Sequence, residues 1–320
     1  MIYFIIFLII LCYLVLLINI IFVICLQYLL FIIDLMVKNI FLKPFLKRAW
    51  GKRYLLPMIN KYKPKTYNNY IEPFLWWGAV LFDLQPKIAF VNDINPELIN
   101  LYKTVRDDVD WLVKELSKLS TKNNAEDFYQ IRWLDREPNK FDKLNKTQKA
   151  ARIIYLNKTC FNGLFRVNSQ WQFNSPFWKY KNPNIVNEEV LRAVSKYLNE
   201  SEISFFCGSF SDMIQYINKW DFVYFDPPYD PVSDTSSFTW YTLDWFWKED
   251  QIKLRDFCNQ VDKIWAKFLL SNSSTPFIKE LYKDYYIETV SVPRTINANA
   301  NWRWEVDEFL IHNYKLNGRK

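Results

Sequence analysis

Glycine is scarce. The chain of 320 residues holds only 5, where average usage of about 7% would give roughly 22. So few cannot comfortably supply the turns and helix caps of a chain this long. Tryptophan is in excess, at 14, and the two types together make an ordinary glycine complement. Histidine is nearly absent: His312 stands alone, which excludes a histidine-built metal site or a Ser-His-Asp triad. The five cysteines (Cys12, Cys25, Cys160, Cys207 and Cys258) are odd in number and form no CxxC pair. That pattern excludes a disulfide scaffold and structural zinc, and suits a reducing cytoplasm. With 50% apolar and 23% charged residues, wholesale disorder is excluded and a sizeable core is within reach. The net charge of +7 permits a polyanionic partner without demonstrating one.

Charge is missing altogether from residues 1–33, a run dominated by Ile, Leu, Phe and Val. Such a run reads as a transmembrane helix, with Lys38, Lys43, Lys47 and Arg48 holding the remainder on the cytoplasmic side. It lacks the positive start and small-residue cleavage site of a signal peptide. The simpler reading is an extension translated from AT-rich upstream sequence, with Met36 opening the protein proper. Membrane contact through residues 1–33 is the lesser expectation, and a cytoplasmic protein the greater.

The rest alternates in the manner of an open α/β sheet. A strand at Tyr70–Glu72, the helix-like GAVLFDLQ, a strand KIAFVND ending in Asp93 and the helix-like NPELINLYKTVRDDV make a βαβα unit. Ligands of such sheets lie beyond the carboxyl ends of the strands. Residues 111–200 are charged, Asn-rich and helical in pattern, with a loop-like centre at FNGLFRVNSQWQFNSPF. Regular alternation returns near Ile203. The apolar run Phe222–Phe225 is a buried strand that stops at Asp226-Pro227-Pro228-Tyr229, because two prolines cannot continue a central strand. Strands at KFLLSNS and EVDEFLIHNY bring the sheet to about seven.

That strand end carries chemistry. An exocyclic amine of a nucleobase is a poor nucleophile, since its lone pair is delocalised into the ring. Two acceptors placed on its N–H hydrogens draw the nitrogen toward tetrahedral geometry. Asp226 supplies one and the carbonyl of Pro227 the other, while Tyr229 offers a flat face for an extruded base. The competing reading is a proline turn with a packed tyrosine. AWGKR lacks the spaced glycine and the following Ser or Thr of a phosphate loop.

KPFLKRAWGKRYLLP, YIEPFLWWGAVLF, VNDINPELI, CFNGLFRVNSQWQFNSPFW, FVYFDPPYDP and FLLSNS together resemble a Dam-type DNA adenine-N6 methyltransferase of the D12 class, in that family's order and over residues 40–315. The resemblance implies a Rossmann-like methyltransferase sheet with a mostly helical target-recognition insert. Beyond the apolar extension at 1–35, it implies a part binding S-adenosylmethionine at 36–110, a DNA-binding insert at 111–200 and the remaining catalytic part at 201–320. It implies double-stranded DNA as substrate, base flipping, and GATC as the recognised sequence.

Carried over residue by residue, the resemblance gives Asp226, Pro227, Pro228 and Tyr229 the catalytic positions. Arg48 and Lys52 border the cofactor, although Arg48 departs from the aromatic residue usual there. Glu72, Phe74 and Gly78 lie in the loop around the methionine part of S-adenosylmethionine. Asp93 accepts from the ribose hydroxyls, the other reading being a cap for the following helix. Asp226 touches cofactor as well as amine. Asn162, Arg166 and Asn168 match the hairpin that reads bases and phosphates, Arg to guanine and Asn to adenine being natural pairings.

Trp50, Trp76 and Trp77 fall where this family has glycine, as do Trp171, Trp178, Trp220, Trp245, Trp265 and Trp304. A cofactor loop needs positive φ and close backbone approach, so indoles at 76 and 77 fill the site. One codon, UGA, written as Trp but meaning Gly in the source organism, accounts for both the excess and the deficit. If the tryptophans are real, the alternative is a DNA-binding relic without catalysis.

Overall fold

The computed structural model describes residues 22, 39, 41–47, 54–231, 246–293 and 305–316. Arg48, Trp50, Lys52, Trp245, Trp304 and, Phe22 apart, residues 1–33 lie outside that set. Among the described residues no helix is long and apolar enough to cross a membrane. The chain divides into two compact units, Met1–Ile40 and Phe41–Lys320; every element named below lies in the second.

The strands are β1 (Tyr70–Glu72), β2 (Ile88–Asp93), β3 (Glu202–Cys207), β4 (Phe222–Phe225), β5 (Lys267–Ser273), β6 (Tyr286–Pro293) and β7 (Glu305–His312). They form one seven-stranded sheet in the order β3-β2-β1-β4-β5-β7-β6. β3, β2, β1, β4 and β5 run parallel, while β7 is antiparallel to both β5 and β6. Every residue of β4 is buried, as a strand covered on both faces requires.

The period-2 alternation of strands sorts the core into two layers. Tyr70, Ala89, Val91, Phe222, Tyr224 and Leu269 join one cluster. Ile71, Val223, Phe225, Phe268 and Leu270 join the other. The first layer packs against α1 (Leu56–Tyr62), α2 (Ala79–Leu84) and α3 (Pro96–Asp107). The chain then runs through α4 (Val109–Ser120), α5 (Ala125–Trp133), α6 (Pro138–Phe141), α7 (Lys146–Thr159) and α8 (Glu188–Glu200). The second layer packs against α9 (Lys248–Lys263) and α10 (Pro276–Leu281). The result is an α/β sheet covered by helices on both faces, as the sequence pattern implies.

Local signals set the boundaries. Asn95 caps α3 by accepting from the N–H groups of Glu97 and Leu98, with Pro96 at the first helical position. Asn145 and Gln148 form a reciprocal capping box at α7. The run beginning at NPELI is two helices rather than one, because Asp108 breaks it at φ −134° and ψ 36°.

The helical insert is held by a buried charge. Arg152 on α7 is 2% exposed and pairs with Asp135 at 2.6 Å, while its Nε donates to the Ile131 carbonyl. Asp135 in turn accepts from the Phe173 N–H at 2.8 Å, and Arg136 donates to the Phe173 carbonyl. One ionic group thereby fixes both the helices and the hairpin that crosses them.

Candidate active site

β1 and β4 are neighbours, yet the sheet grows from β1 toward β2 on one side and from β4 toward β5 on the other. In open α/β sheets such a switch point opens a crevice beyond the carboxyl ends of the strands. The chain leaves β1 at Glu72 into Pro73-Phe74-Leu75-Trp76-Trp77-Gly78, and leaves β4 into Asp226-Pro227-Pro228-Tyr229. Two loops far apart in sequence thus face one crevice.

The first loop is tied to β2. Gly78 has φ 60° and begins α2; a Cβ there would meet Phe82 and the Tyr102 hydroxyl at 3.1 Å, so glycine is needed for both space and backbone. Asp93, buried at the end of β2, accepts from the Trp76 N–H at 3.0 Å and from the Asn95 N–H at 2.9 Å. Burial pushes its carboxyl up to about 6, against the pull of those N–H groups. Asn95, two residues on, is the helix cap, which leaves Asp93 turned to the loop. Glu72 is buried and accepts from the Tyr70 hydroxyl at 2.9 Å. Phe74 stacks on Phe210 with centroids 5.3 Å apart.

The second loop is tied to β5 and α9. The Asp226 carboxylate accepts from the Ser271 hydroxyl at 3.3 Å, and the Pro228 carbonyl accepts from Gln251 at 2.9 Å. Asn272 accepts from the Asp230 N–H at 3.0 Å and donates to Gln251 at 3.1 Å. Ser273 donates to the Asp230 carbonyl and Thr275 to its carboxylate at 2.6 Å. Tyr229 donates to Glu308 on β7 at 2.9 Å; burial and the Glu308 charge beside it push its phenol well above the ordinary range. Between the loops lies a cavity of about 220 Å³, lined among others by Phe74, Trp76, Asp93, Phe210, Pro228 and Phe246.

The acid at the end of β2 and the Asp-Pro-Pro-Tyr turn after β4 stand where the two loops meet the crevice, and comparison with known proteins bears out the family resemblance. Over residues 50–296 the chain matches the family described as D12 class N6 adenine-specific DNA methyltransferase. It is 43% identical over 282 residues to the type II methyltransferase M1.LlaDCHI of Lactococcus lactis subsp. cremoris, covering 88% of this chain and 99% of that one. To the DNA adenine methylase of Escherichia coli K12 it is 34% identical over 281 residues, covering 86% and 95%. The chain belongs to the D12 class of N6 adenine-specific DNA methyltransferases.

In this adenine-specific methyltransferase the insert presents a hairpin. Cys160 bridges to Phe177 and Val167 to Phe173, both antiparallel. Asn162 sits at φ 53°, and its N–H donates to the Tyr180 hydroxyl. The Arg166 carbonyl accepts from Asn174, while its Nε is buried with no acceptor among the described residues. Asn168 turns inward: its Oδ1 accepts from the N–H groups of Gln170 and Gln172, and its amide donates to Gln172. The sequence-predicted hairpin residues therefore share one loop but differ in role, Asn168 shaping the tip and Arg166 bearing unspent donor capacity. Phe165 and Val167 reach the same cavity as Phe74 and Asp93.

Motif reading passed over several residues. Asn272, Ser273 and Gln251 secure the turn after β4, yet the SNS of β5 carried no assigned role until the sheet brought it beside Asp226. Phe210 and Phe246 come from segments without a motif. Lys47 donates to the Lys158 carbonyl at 3.0 Å and lies 3.7 Å from the Tyr180 ring centroid. Burial, then the charges of Lys47 and Lys43, lower Lys158 to about 8. These cations are scattered in sequence and meet only beside the Asn162 turn.

Proposed function

We propose that this methyltransferase transfers a methyl group from S-adenosylmethionine to the N6 amine of adenine flipped out of duplex DNA, within GATC, in the cytoplasm. The carrying observation is the shared crevice: the cavity runs from Asp93 to Pro228, so one bound molecule reaches from the acid of β2 to the turn after β4. S-adenosylmethionine supplies an electrophilic methyl on a sulfonium. Its hydroxyls suit the buried Asp93 carboxylate, its flat base suits the wall of Phe74 and Phe210, and Glu72 lies where the loop leaves β1. Arg48 and Lys52 are assigned to the same border.

At the target, Asp226 and the Pro227 carbonyl accept the two N–H hydrogens of the amine, and Tyr229 flanks the base. The nitrogen lone pair forms the bond to the methyl carbon as the carbon–sulfur bond breaks, leaving a neutral thioether; one N–H proton passes to solvent. Ser271 and the Glu308–Tyr229 bond hold the acceptors in place, which is the positioning such a displacement needs. Asn162, Arg166 and Asn168 belong to the DNA-reading hairpin, with residues 111–200 as the recognition insert.

The test is transfer of labelled methyl groups to duplexes that carry GATC or a scrambled tetramer. Label confined to the adenine of GATC is expected; label at another site overturns the assigned sequence, and none overturns the reaction.

Asp93 gives a second test. A carboxyl near 6 is ionised at neutral pH and protonated as pH falls through that value, and only the ionised form accepts from both ribose hydroxyls. Affinity for S-adenosylmethionine is expected to fall as pH drops from 7 to 5. Asp93→Asn is expected to bind about 10-fold more weakly at neutral pH and to lose the pH dependence in calorimetric titration.

One observation favours the relic reading. The Trp76 indole Nε1 donates to the Asp226 carbonyl at 2.7 Å, spanning the crevice between the two loops. A chain carrying that indole binds DNA with the cofactor space occupied.

A further inference from the structure

Six described residues other than glycine have positive φ, and four are tryptophan: Trp76 at 45°, Trp171 at 61°, Trp220 at 70° and Trp265 at 65°. The other two are Gln85 and Asn162; asparagine tolerates this region, whereas bulky side chains are outliers there. Left-handed backbone is the conformation glycine adopts without penalty.

Each of the four stands at a site where the local motif itself selects glycine. In the loop after β1 the Gly78 N–H donates to the Leu75 carbonyl at 2.7 Å, so Trp76 is the first central residue of a β-turn; positive φ at that place is the II′ arrangement, which takes glycine. In the recognition hairpin Asn168 and Gln172 are paired, and the Trp171 N–H donates to the Asn168 carbonyl. Trp171 is therefore the last residue of a three-residue loop, the left-handed position of a G1 bulge. Before β4 the Asp221 N–H donates to the Asn218 carbonyl, which puts Trp220 third in a turn, the glycine place of type II.

Trp265 follows α9 directly. Its N–H donates to the Asp262 carbonyl and that of Ala266 to the Val261 carbonyl, with Ile264 as the C-cap. This is the Schellman pattern, and its left-handed residue is characteristically glycine.

At 220 and 265 core packing gives no competing reason. Trp220 is 49% and Trp265 68% exposed, so neither fills the core. Both precede their strands, at the amino ends of β4 and β5 and so at the end of the sheet opposite the crevice, where no flipped base arrives. Trp76 reaches into the crevice. Trp77 has no positive φ and is buried against Phe165 at 5.4 Å, so the backbone makes no such demand there. Trp111 and Trp133 lie in α4 and α5, where glycine is a poor choice.

We infer that positions 76, 171, 220 and 265 are glycine in the protein its organism makes, through one codon that means glycine there, and that glycine at 76 clears the crevice for the cofactor. Only the last clause rests on the proposed function.

The experiment is peptide mass spectrometry of the protein isolated from its source organism. Glycine is expected at all four positions and tryptophan at 111 and 133. Tryptophan at any of the four overturns the inference as stated, and glycine at 111 or 133 overturns backbone conformation as its basis. A second measurement compares the recombinant chain as written with the variant W76G/W171G/W220G/W265G. The variant is expected to melt higher, by roughly 2 °C per position; a lower melting temperature counts against the inference. Calorimetry with S-adenosylmethionine then separates the two claims. Binding to the variant but not to the chain as written supports the cleared crevice. Failure of both to bind, with glycine found in the native peptides, counts against the cofactor assignment and leaves the decoding intact.

Discussion

Asp226→Ala, made in the glycine-bearing form of the chain, is expected to lower kcat by about 10³-fold while leaving the fold in place. The carboxylate is 5% exposed and sits where β4 ends, so the backbone of the Pro-Pro turn positions it. The turn itself is secured elsewhere, through Gln251 on the Pro228 carbonyl and Asn272 on Asp230. Removing the side chain therefore deletes an acceptor without releasing the loop. The uncompensated neighbour is the Ser271 hydroxyl, which is also 3.1 Å from the Tyr224 hydroxyl and keeps a partner. Single-turnover methylation reads the chemical step, and a melting curve controls for folding. Turnover close to the parent's would remove Asp226 from its assigned role, because no other described carboxylate ends β4.

Arg166→Ala is expected to reduce discrimination between GATC and near-cognate duplexes by about 10- to 100-fold, the range for losing one bidentate base contact. Cofactor affinity should be unchanged. The hairpin survives the substitution, since Arg166 contributes to it through its carbonyl, which accepts from Asn174 at 2.7 Å. Competition binding across single-base variants distinguishes two outcomes. Relaxed preference at one position supports base reading. A uniform loss, with the salt dependence of binding shallower by about one counterion, identifies a phosphate contact, and an unchanged preference contradicts the assignment of the insert.

Much of the site was legible before folding, and the reasons differ residue by residue. The Asp-Pro-Pro-Tyr turn declares itself because prolines end a central strand wherever they occur. Asp93 is legible because an apolar run ending in an acid marks the carboxyl end of a parallel strand. Gly78 stands out in a chain with so few glycines. Phe210, Phe246, Gln251 and Asn272 were not legible, since their importance comes from meeting the turn across the sheet. Asn168 shows the reverse limit: an asparagine in a segment expected to read bases spends its donors and acceptors on its own hairpin tip, and only hydrogen-bond geometry reveals that. The long helical pattern after Pro96 likewise concealed the break at Asp108.

By itself the sequence determined the strand and helix periods, the sharp stop after β4, the family and the class of reaction, because these depend on local backbone rules and on motifs read in order. It also exposed a shortage of glycine. Tertiary structure alone decided which loops face one another across the switch point, that one buried Arg152–Asp135 pair holds both helices and hairpin, and which tryptophans stand on left-handed backbone. The physical reason is common to all three: each depends on hydrogen bonds or packing between segments distant in the chain, or on a dihedral angle that a side chain's identity does not report.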